Sequence, residues 1–202
     1  MKKYIFLITT GIISALYIWT IVLGNDLLQP SIASKILRFH VLANSDSDAD
    51  QAVKEEVRDA VGVYLSPLLK DSENIEDTKQ IIEENMQQII TVAKDTLTEY
   101  GYSYDVNVRI ASADFPEKKY GPYTFPKGEY ETLQIVLGEG EGQNWWCVLY
   151  PNMCFRGSVF EVVEEEAKEA LREVLSPWEY ADVFDSGEVE IRFRFWDFFT
   201  GK

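Results

Sequence analysis

The spacing of apolar residues changes once along the chain, and this change limits the folds that are open to it. Apolar residues between positions 53 and 68 recur at steps of three and four, which predicts an amphipathic helix that ends near Pro67. The same steps recur from about residue 75 to residue 100 and predict a second, longer helix that ends before Gly101. From residue 104 onward apolar and polar residues alternate, which indicates strands.

Strands are predicted both before and after these two helices. Ser158 is predicted to cap a third helix, which ends before Pro177. The runs predicted to be strands are residues 36–42, 106–110, 133–137, 145–150 and 188–196. This order predicts the α+β class, as a single domain with a mostly antiparallel sheet and about three packed helices.

The first 24 residues have the pattern of an export address. Lys2 and Lys3 precede an uncharged stretch of twenty residues, 4–23. A basic start followed by an apolar run is typical of a signal peptide, but twenty residues are also long enough to span a bilayer as a helix. Residues 1–24 are therefore predicted to be a cleaved signal or an N-terminal anchor, and both place the remainder outside the cytoplasm. Residues 25–34 are predicted to be a short polar tether, and residues 35–202 the folded domain.

The charge balance excludes several classes of partner. Nineteen basic and thirty-four acidic residues give a net charge of −15, and loss of residues 1–24 would leave −17. Such a chain repels phosphate, so nucleic-acid binding is excluded and membrane contact is expected only through the N-terminal segment. The single histidine excludes multi-histidine metal sites, and the common glycine-rich nucleotide motifs are missing, so no cofactor is predicted.

Cys147 and Cys154 are the only cysteines. Export would bring them into an oxidising compartment, and the short loop between them favours a disulfide; two reduced, buried cysteines are the alternative. An enzyme reading would make Cys147 a nucleophile with His40 as its base. We favour a structural, half-exposed strand position for His40, and no catalytic residue is predicted.

Two groups of residues are candidate contacts for a protein partner. Neighbouring tryptophans on a strand project to opposite faces, so one should enter the core while the other is exposed or covered by a helix. Interface hot spots are rich in Trp and Tyr. The first group is Trp145, Trp146, Tyr150 and Phe155, and the second, at a polar strand–helix junction, is Asn44, Asp46, Asp50, Gln51, Lys54, Arg58 and Asp59.

Each group also has a structural alternative. The aromatic residues can belong to the core. The polar residues can supply turn and cap chemistry, with Ser47 as the cap and Asp50 paired with Lys54 on the wet face of the helix. Calcium binding at the junction is disfavoured, because the segment lacks the glycine and the terminal glutamate of the twelve-residue calcium loop.

Two stretches of sequence carry a family resemblance. The first contains LRFHVLANSDS at residues 37–47, then DQAVK at 50–54 and VRDAV at 57–61. The second contains GEG at 138–140 and NWWCV at 144–148, then Pro151 and Cys154-Phe155. In order and spacing they are similar to the two signatures of the stage II sporulation protein R family. The resemblance covers roughly residues 36–175. It departs at Asn152, where that family often has a second proline, and is loose over the last twenty-five residues.

The resemblance implies an exported signalling protein of endospore-forming bacteria. Members of the family are made in the forespore and cross its membrane into the space that faces the mother cell. There they trigger a membrane-embedded aspartic protease, the GA protein of the same stage, which removes the pro-sequence of the early mother-cell sigma factor. We therefore expect a non-enzymatic signal. An exported hydrolase and a structural protein that bridges two membranes are the rival classes, disfavoured by the missing catalytic set and by the lack of repeats or a rod.

Overall fold

The computed structural model describes residues 28–153 and 164–184, together with positions 11, 12 and 14. The predicted cap at Ser158, the predicted strand 188–196 and almost all of the predicted signal or anchor therefore lie outside the described residues. The elements, in chain order, are β1 (Leu37–Leu42), α1 (Asp48–Leu69), α2 (Ile75–Glu84), α3 (Met86–Glu99), β2 (Val106–Phe115), β3 (Lys118–Tyr120), β4 (Tyr123–Phe125), β5 (Gly128–Leu137), β6 (Asn144–Tyr150), α4 (Glu164–Val174) and α5 (Pro177–Val183).

The predicted α+β class is confirmed, but the sheet is mixed, and five helices follow β1 in the described ranges where about three were predicted. Its strand order is β2-β5-β1-β6. The outer pairs, β2 with β5 and β1 with β6, are antiparallel, whereas the central pair of β1 and β5 is parallel. Parallel strands need a crossover connection. Here the connection from β1 to β5 runs through helices α1 to α3 and then through strands β2 to β4. The chain therefore places its first strand in the middle of the sheet.

Both faces of the sheet are covered. Helices α1 to α3 pack on one face and form the helix-side core, which includes Phe39, Val41, Val57, Leu65, Ile89, Leu97, Ile135 and Cys147. The β3–β4 hairpin and helices α4 and α5 belong to the other face and form the hairpin-side core, which includes Ile32, Ile36, Phe115, Tyr123, Phe125, Tyr130, Val148 and Leu171. Because it is covered twice, β1 is buried from Leu37 to Val41.

The predicted ends of two helices differ from the structure. The predicted helix 75–100 is two helices, because the Asn85 side chain turns back onto its own chain through an Nδ2 bond to the Ile81 carbonyl (2.8 Å). Helix α1 continues two residues past Pro67 to Leu69, so the proline lies within its last turn, where it is exposed. The predicted end of the third helix before Pro177 is confirmed, since α4 ends at Val174. Pro177 also starts a further helix, α5, for which Ser176 forms a capping box with Glu179.

The described part of the predicted tether packs on the domain. Residues 28–33 are helical, and Ile32 is fully buried in the hairpin-side core. Its apolar side chain explains this, because burial of one isoleucine is worth about 2 kcal/mol. Residues 28–33, which were predicted to be part of a polar tether, therefore belong to the folded domain. In the ranges that the structure describes, there is no helix of the length and apolarity that a bilayer crossing requires.

Candidate functional site

A buried carboxylate lies at the junction between β1 and α1. Asp50 is 5% exposed and accepts hydrogen bonds from Asn44 Nδ2 (2.9 Å), Ser45 Oγ (2.6 Å) and the Tyr104 hydroxyl (2.8 Å). The bonds from Ser45 and Asn44 lower the pKa of Asp50. A carboxylate with this many donors stays ionised without a cation, so the junction is held by its negative charge.

Of the two hydrogen bonds in the predicted capping box, the structure contains one. Ser47 is the N-cap of α1, and its side chain accepts from the Asp50 backbone N–H. The return bond of a capping box is missing, because the Asp50 carboxylate is taken up by the junction and the Ser47 N–H donates to Ser45 Oγ.

The same junction fixes the loop between β5 and β6. Asn44 Oδ1 accepts from the Glu139 N–H (3.1 Å), and Asp46 Oδ1 accepts from the Gln143 N–H (2.7 Å). The loop approaches closely enough to require glycine at position 138, where φ is +58° and a Cβ would lie 2.2 Å from Asn44 Oδ1. Residues 138–143 are thus held in one conformation by side chains that are about 95 positions earlier in the chain.

Lys54 completes this arrangement. Its Nζ donates to Gln51 Oε1 (2.6 Å) and to the Gln143 carbonyl (3.3 Å), while Gln51 Nε2 donates to the Ser45 carbonyl (2.9 Å). Lys54 is 5% exposed, and burial lowers its pKa. The predicted pair of Asp50 and Lys54 on the wet face was wrong, because both side chains are buried. Asp50 bonds within the β1–α1 junction and to Tyr104, whereas Lys54 bonds to Gln51 and to the loop. We call the junction network the side chains of Asn44, Ser45, Asp46, Asp50, Gln51, Lys54 and Tyr104.

The two tryptophans project to opposite faces of β6, as predicted. Trp145 packs edge-on against Phe39 at 5.6 Å, and the guanidinium of Arg58 lies 5.1 Å from its ring. Trp146 lies on the other face, 4.9 Å from His40 and 4.5 Å from Phe115. Both are half-buried, so each presents only part of its surface to solvent.

The remaining candidate contacts are placed less centrally. Arg58 also forms an ion pair with Asp59, and the hydroxyl of half-buried Tyr150 donates to the Glu73 carbonyl (3.1 Å). Phe155 lies outside the described residues. A role in partner contact stays a prediction for all eleven residues of the two groups.

The sheet register separates His40 from Cys147. His40 is opposite Trp146, whereas Cys147 is opposite Phe39, so the two side chains point to different faces. The predicted half-exposed position of His40 was wrong, because the side chain is 2% exposed beneath the aromatic cover of the hairpin-side core. Burial, with Arg109 and Arg38 nearby, lowers the pKa of His40 to about 4. This histidine cannot be the base for Cys147. Pairing of Cys147 with Cys154 stays a prediction, since Cys154 lies outside the described residues.

Arg38 is a site residue that sequence reasoning missed. Its side chain is fully buried among four aromatic rings, at 4.5 Å from Phe115, 5.3 Å from Phe125, 5.1 Å from Tyr130 and 5.6 Å from Tyr120. One hydrogen bond, from Nη2 to the Tyr120 hydroxyl (3.1 Å), holds it, and neither Nε nor Nη1 has a partner. Burial lowers the pKa of Arg38. The cation is held by ring faces, without a carboxylate.

No metal centre is found in the described ranges, where no three His, Cys, Asp or Glu side chains are grouped so that they could hold an ion. The fold and its polar centre define an α+β domain in which two distant stretches of sequence, residues 44–54 and 138–143, are joined at one strand–helix junction. Those stretches lie within the two signatures on which the resemblance rests.

The chain belongs to the stage II sporulation protein R family, whose model matches residues 33–159. The Stage II sporulation protein R of Bacillus subtilis (strain 168) is 37% identical over 169 residues, which are 83% of this chain and 75% of that relative. No solved structure matches the chain. The predicted family is confirmed, and family membership supports a role in sporulation.

Proposed function

We propose that the protein is an exported, non-enzymatic signal that binds and activates a membrane-embedded aspartic protease, the GA protein of sporulation stage II. The protease then removes the pro-sequence of the early mother-cell sigma factor. The match to the family over residues 33–159 is the observation that carries the proposal. The basic start and uncharged run of residues 1–23 support the exported location, in the space between forespore and mother cell.

Activation requires a difference in affinity between two states of the protease. A signal without catalytic groups can act only if it binds the active state more tightly than the resting state. A change from 1:99 to 99:1 needs about 5.5 kcal/mol of differential binding free energy, which is within the range of one or two buried interface anchors with their surroundings.

The junction network suggests how such a surface is kept ready. It fixes the loop 138–143, on which Glu139 and Glu141 are exposed. A contact that is rigid before binding loses less conformational entropy when the complex forms. We therefore infer that the junction residues act mainly through this loop, while Trp145 and Trp146 support it from the adjoining strand.

The hydrolase alternative has less support. The best nucleophile and base in the chain are on opposite faces of the sheet, and the base is buried with a low pKa. A structural role in bridging two membranes would be favoured by repeats or a rod, and the described residues form a short mixed sheet with packed helices.

Co-expression in a non-sporulating host tests the proposal. The exported chain, the protease and the pro-protein are expressed together and in each pair, and the processed fraction is measured by immunoblot. Processing that needs all three components is the expected result. Equal processing without this chain, or with this chain in place of the protease, would contradict it.

The contact surface is tested in the same assay. The double variant of Glu139→Gln and Glu141→Gln should lower processing at least tenfold without a change in the export level or in Tm. The double variant of Glu83→Gln and Glu99→Gln is the matched control, because it changes two exposed glutamates on the helices. Trp145→Ala tests the aromatic group of candidate contacts that the sequence predicted, and Asp46→Asn and Arg58→Ala test the polar group. Full processing by every folded variant would place the contact elsewhere.

A further inference from the structure

Of the large apolar side chains in the described ranges that lie outside both cores, one tryptophan is exposed the most, ahead of Val63 and Tyr100. Trp178, in the first turn of α5, is 81% exposed, more than any other large apolar residue in the described ranges. Pro177 and Ala181, beside it on the same short helix, are exposed as well. An indole with this exposure costs solvation free energy, which a covering partner would recover.

Glu179, next to Trp178, joins helix α5 to Ser31 and Lys35, which come just before β1. Glu179 is 3% exposed, and its carboxylate accepts from Ser31 Oγ and Lys35 Nζ, each at 2.5 Å. Burial alone would raise the pKa of Glu179, but the bonds from Lys35, Ser31 and Ser176 outweigh it and lower the pKa to about 2. We call this contact the tether clamp: Ser31 and Lys35 with Glu179.

The clamp limits how far α5 can lie from the apolar run. Leu28 comes five positions after Leu23, the end of that run, and even a fully extended chain spans at most about 17 Å over those five steps. Residues 28–31 lie within a helical stretch and add roughly 5 Å along its axis. A domain of about 170 residues is roughly 40 Å across. If the apolar run lies in a bilayer, the clamp is therefore within about 22 Å of the end of that run, so helix α5 cannot lie on the far side of the domain.

We propose that Trp178 contacts the surface of the lipid bilayer that holds the N-terminal segment. The proposal rests on the export address of the proposed function, with that segment retained as an anchor. Tryptophan is the side chain enriched at membrane–water interfaces, because its ring is apolar while its N–H still bonds water. Asp182, four residues on and also exposed, together with the net charge of −15, disfavours a surface rich in anionic lipid. The contact is made by the indole with uncharged or zwitterionic headgroups.

Fluorine NMR of the full-length chain tests this contact. The five tryptophans are labelled as 5-fluorotryptophan, the chain is inserted into phosphatidylcholine nanodiscs, and the Trp178→Phe variant assigns the signal of Trp178. Addition of headgroup-spin-labelled phosphatidylcholine should broaden the Trp178 signal at least threefold. The signals of Trp145 and Trp146, which are packed on the sheet, should broaden much less. Trp19, in the apolar run, reports insertion.

Each other outcome overturns the proposal. A sharp Trp178 signal beside a broadened Trp19 signal would show that α5 faces water or a protein. Sharp signals for both Trp178 and Trp19 would show that the N-terminal segment is not inserted in the bilayer. The proposed contact, which requires that insertion, would then be wrong. Broadening that depends on protein concentration and not on the spin label would assign the indole to a second copy of the chain. Processing of the pro-protein is measured separately, so an inactive chain that contacts the bilayer would count against the proposed function alone.

Discussion

Asp50 combines two properties that rarely occur together, almost complete burial and a negative charge without a cation. Its carboxylate is stabilised by Asn44 and Ser45, which follow β1, and by Tyr104, which comes just before β2. Hydrogen bonds to a charged group contribute about 1.5–3 kcal/mol each, and loss of the charge weakens all of them at once. The stability of the junction should therefore depend on the charge of this one carboxylate.

We predict that Asp50→Asn lowers the free energy of unfolding by about 2–3 kcal/mol. The pKa of Asp50 is lowered from 3.8, so its contribution is complete above the unfolded pKa and is lost as pH falls through the folded pKa. Urea unfolding at pH 7 and pH 3 should show that the variant has lost part of the acid sensitivity of the parent. Asp48→Asn, at an exposed first-turn position, is the control, and an equal loss there would contradict the role of burial.

Arg38 is held by aromatic faces, and its two unpartnered donors oppose the stabilisation that the rings provide. Replacement of a buried charge by an apolar side chain of similar length is often neutral or stabilising. We predict that Arg38→Met changes the free energy of unfolding by less than about 1 kcal/mol, or raises it, whereas Arg38→Ala leaves a cavity and lowers it by about 2–4 kcal/mol. A loss above 3 kcal/mol in the methionine variant, measured by denaturant titration, would contradict this account.

The burial of Arg38 and His40 could not be predicted from the sequence. Both alternate with apolar residues in the run 36–42, which is the pattern of a strand with one wet face. Their cover comes from residues 115–130, about eighty positions later, and no local pattern records that contact. The polar character of the junction was visible in the sequence, but its inward direction depends on the loop 138–143.

At the scale of elements, the β5–β6 loop is where the conformation depends on a particular glycine, Gly138. Gly138 and Gly101 both have positive φ, but an added Cβ at Gly101 meets nothing within 4 Å, whereas one at Gly138 meets the Asn44 side chain. Backbone strain of roughly 1–2 kcal/mol is common to both positions. We predict that Gly138→Ala lowers the free energy of unfolding by at least about 1 kcal/mol more than Gly101→Ala, as measured by thermal unfolding. Equal losses would show that the close approach does not matter.

The tether clamp is another contact between elements that are distant in sequence. The pKa of Glu179 falls from 4.5 to about 2, and one pKa unit corresponds to about 1.4 kcal/mol. Because Lys35 is 34% exposed and screened by solvent, we predict a loss of about 2 kcal/mol for Glu179→Gln. In the parent this stability is complete above pH 4.5 and lost as pH falls toward 2, and the variant should lack that decline. Unchanged acid unfolding relative to Glu169→Gln, an exposed control, would contradict the clamp.

The elements themselves were largely predictable, and their ends were not. Periodicity located β1, α1, β2, β5 and β6, because each has a strong apolar face. The break at Asn85 was missed because the apolar stripe runs through it, and a side-chain bond decides it locally. Pro177 follows α4, as predicted, and it also starts α5, a helix that was missed although Ser176 offered its cap.

At the scale of the whole molecule, the class could be predicted from the order of elements, but the parallel pairing of β1 and β5 could not. That pairing joins residues about ninety-four positions apart, and the choice between neighbours depends on how the helices pack. The family was recognisable from its two sequence signatures, and the structure shows that these signatures meet in space at the junction network.

The central claim is that the protein acts as a signal from outside the compartment that makes it. The most direct test is processing of the mother-cell pro-protein in sporulating cells whose own family member has been deleted. The full-length chain, made in the forespore, should restore processing, whereas the chain without residues 1–24, made at the same level and folded, should not. Processing restored equally by both would contradict the claim.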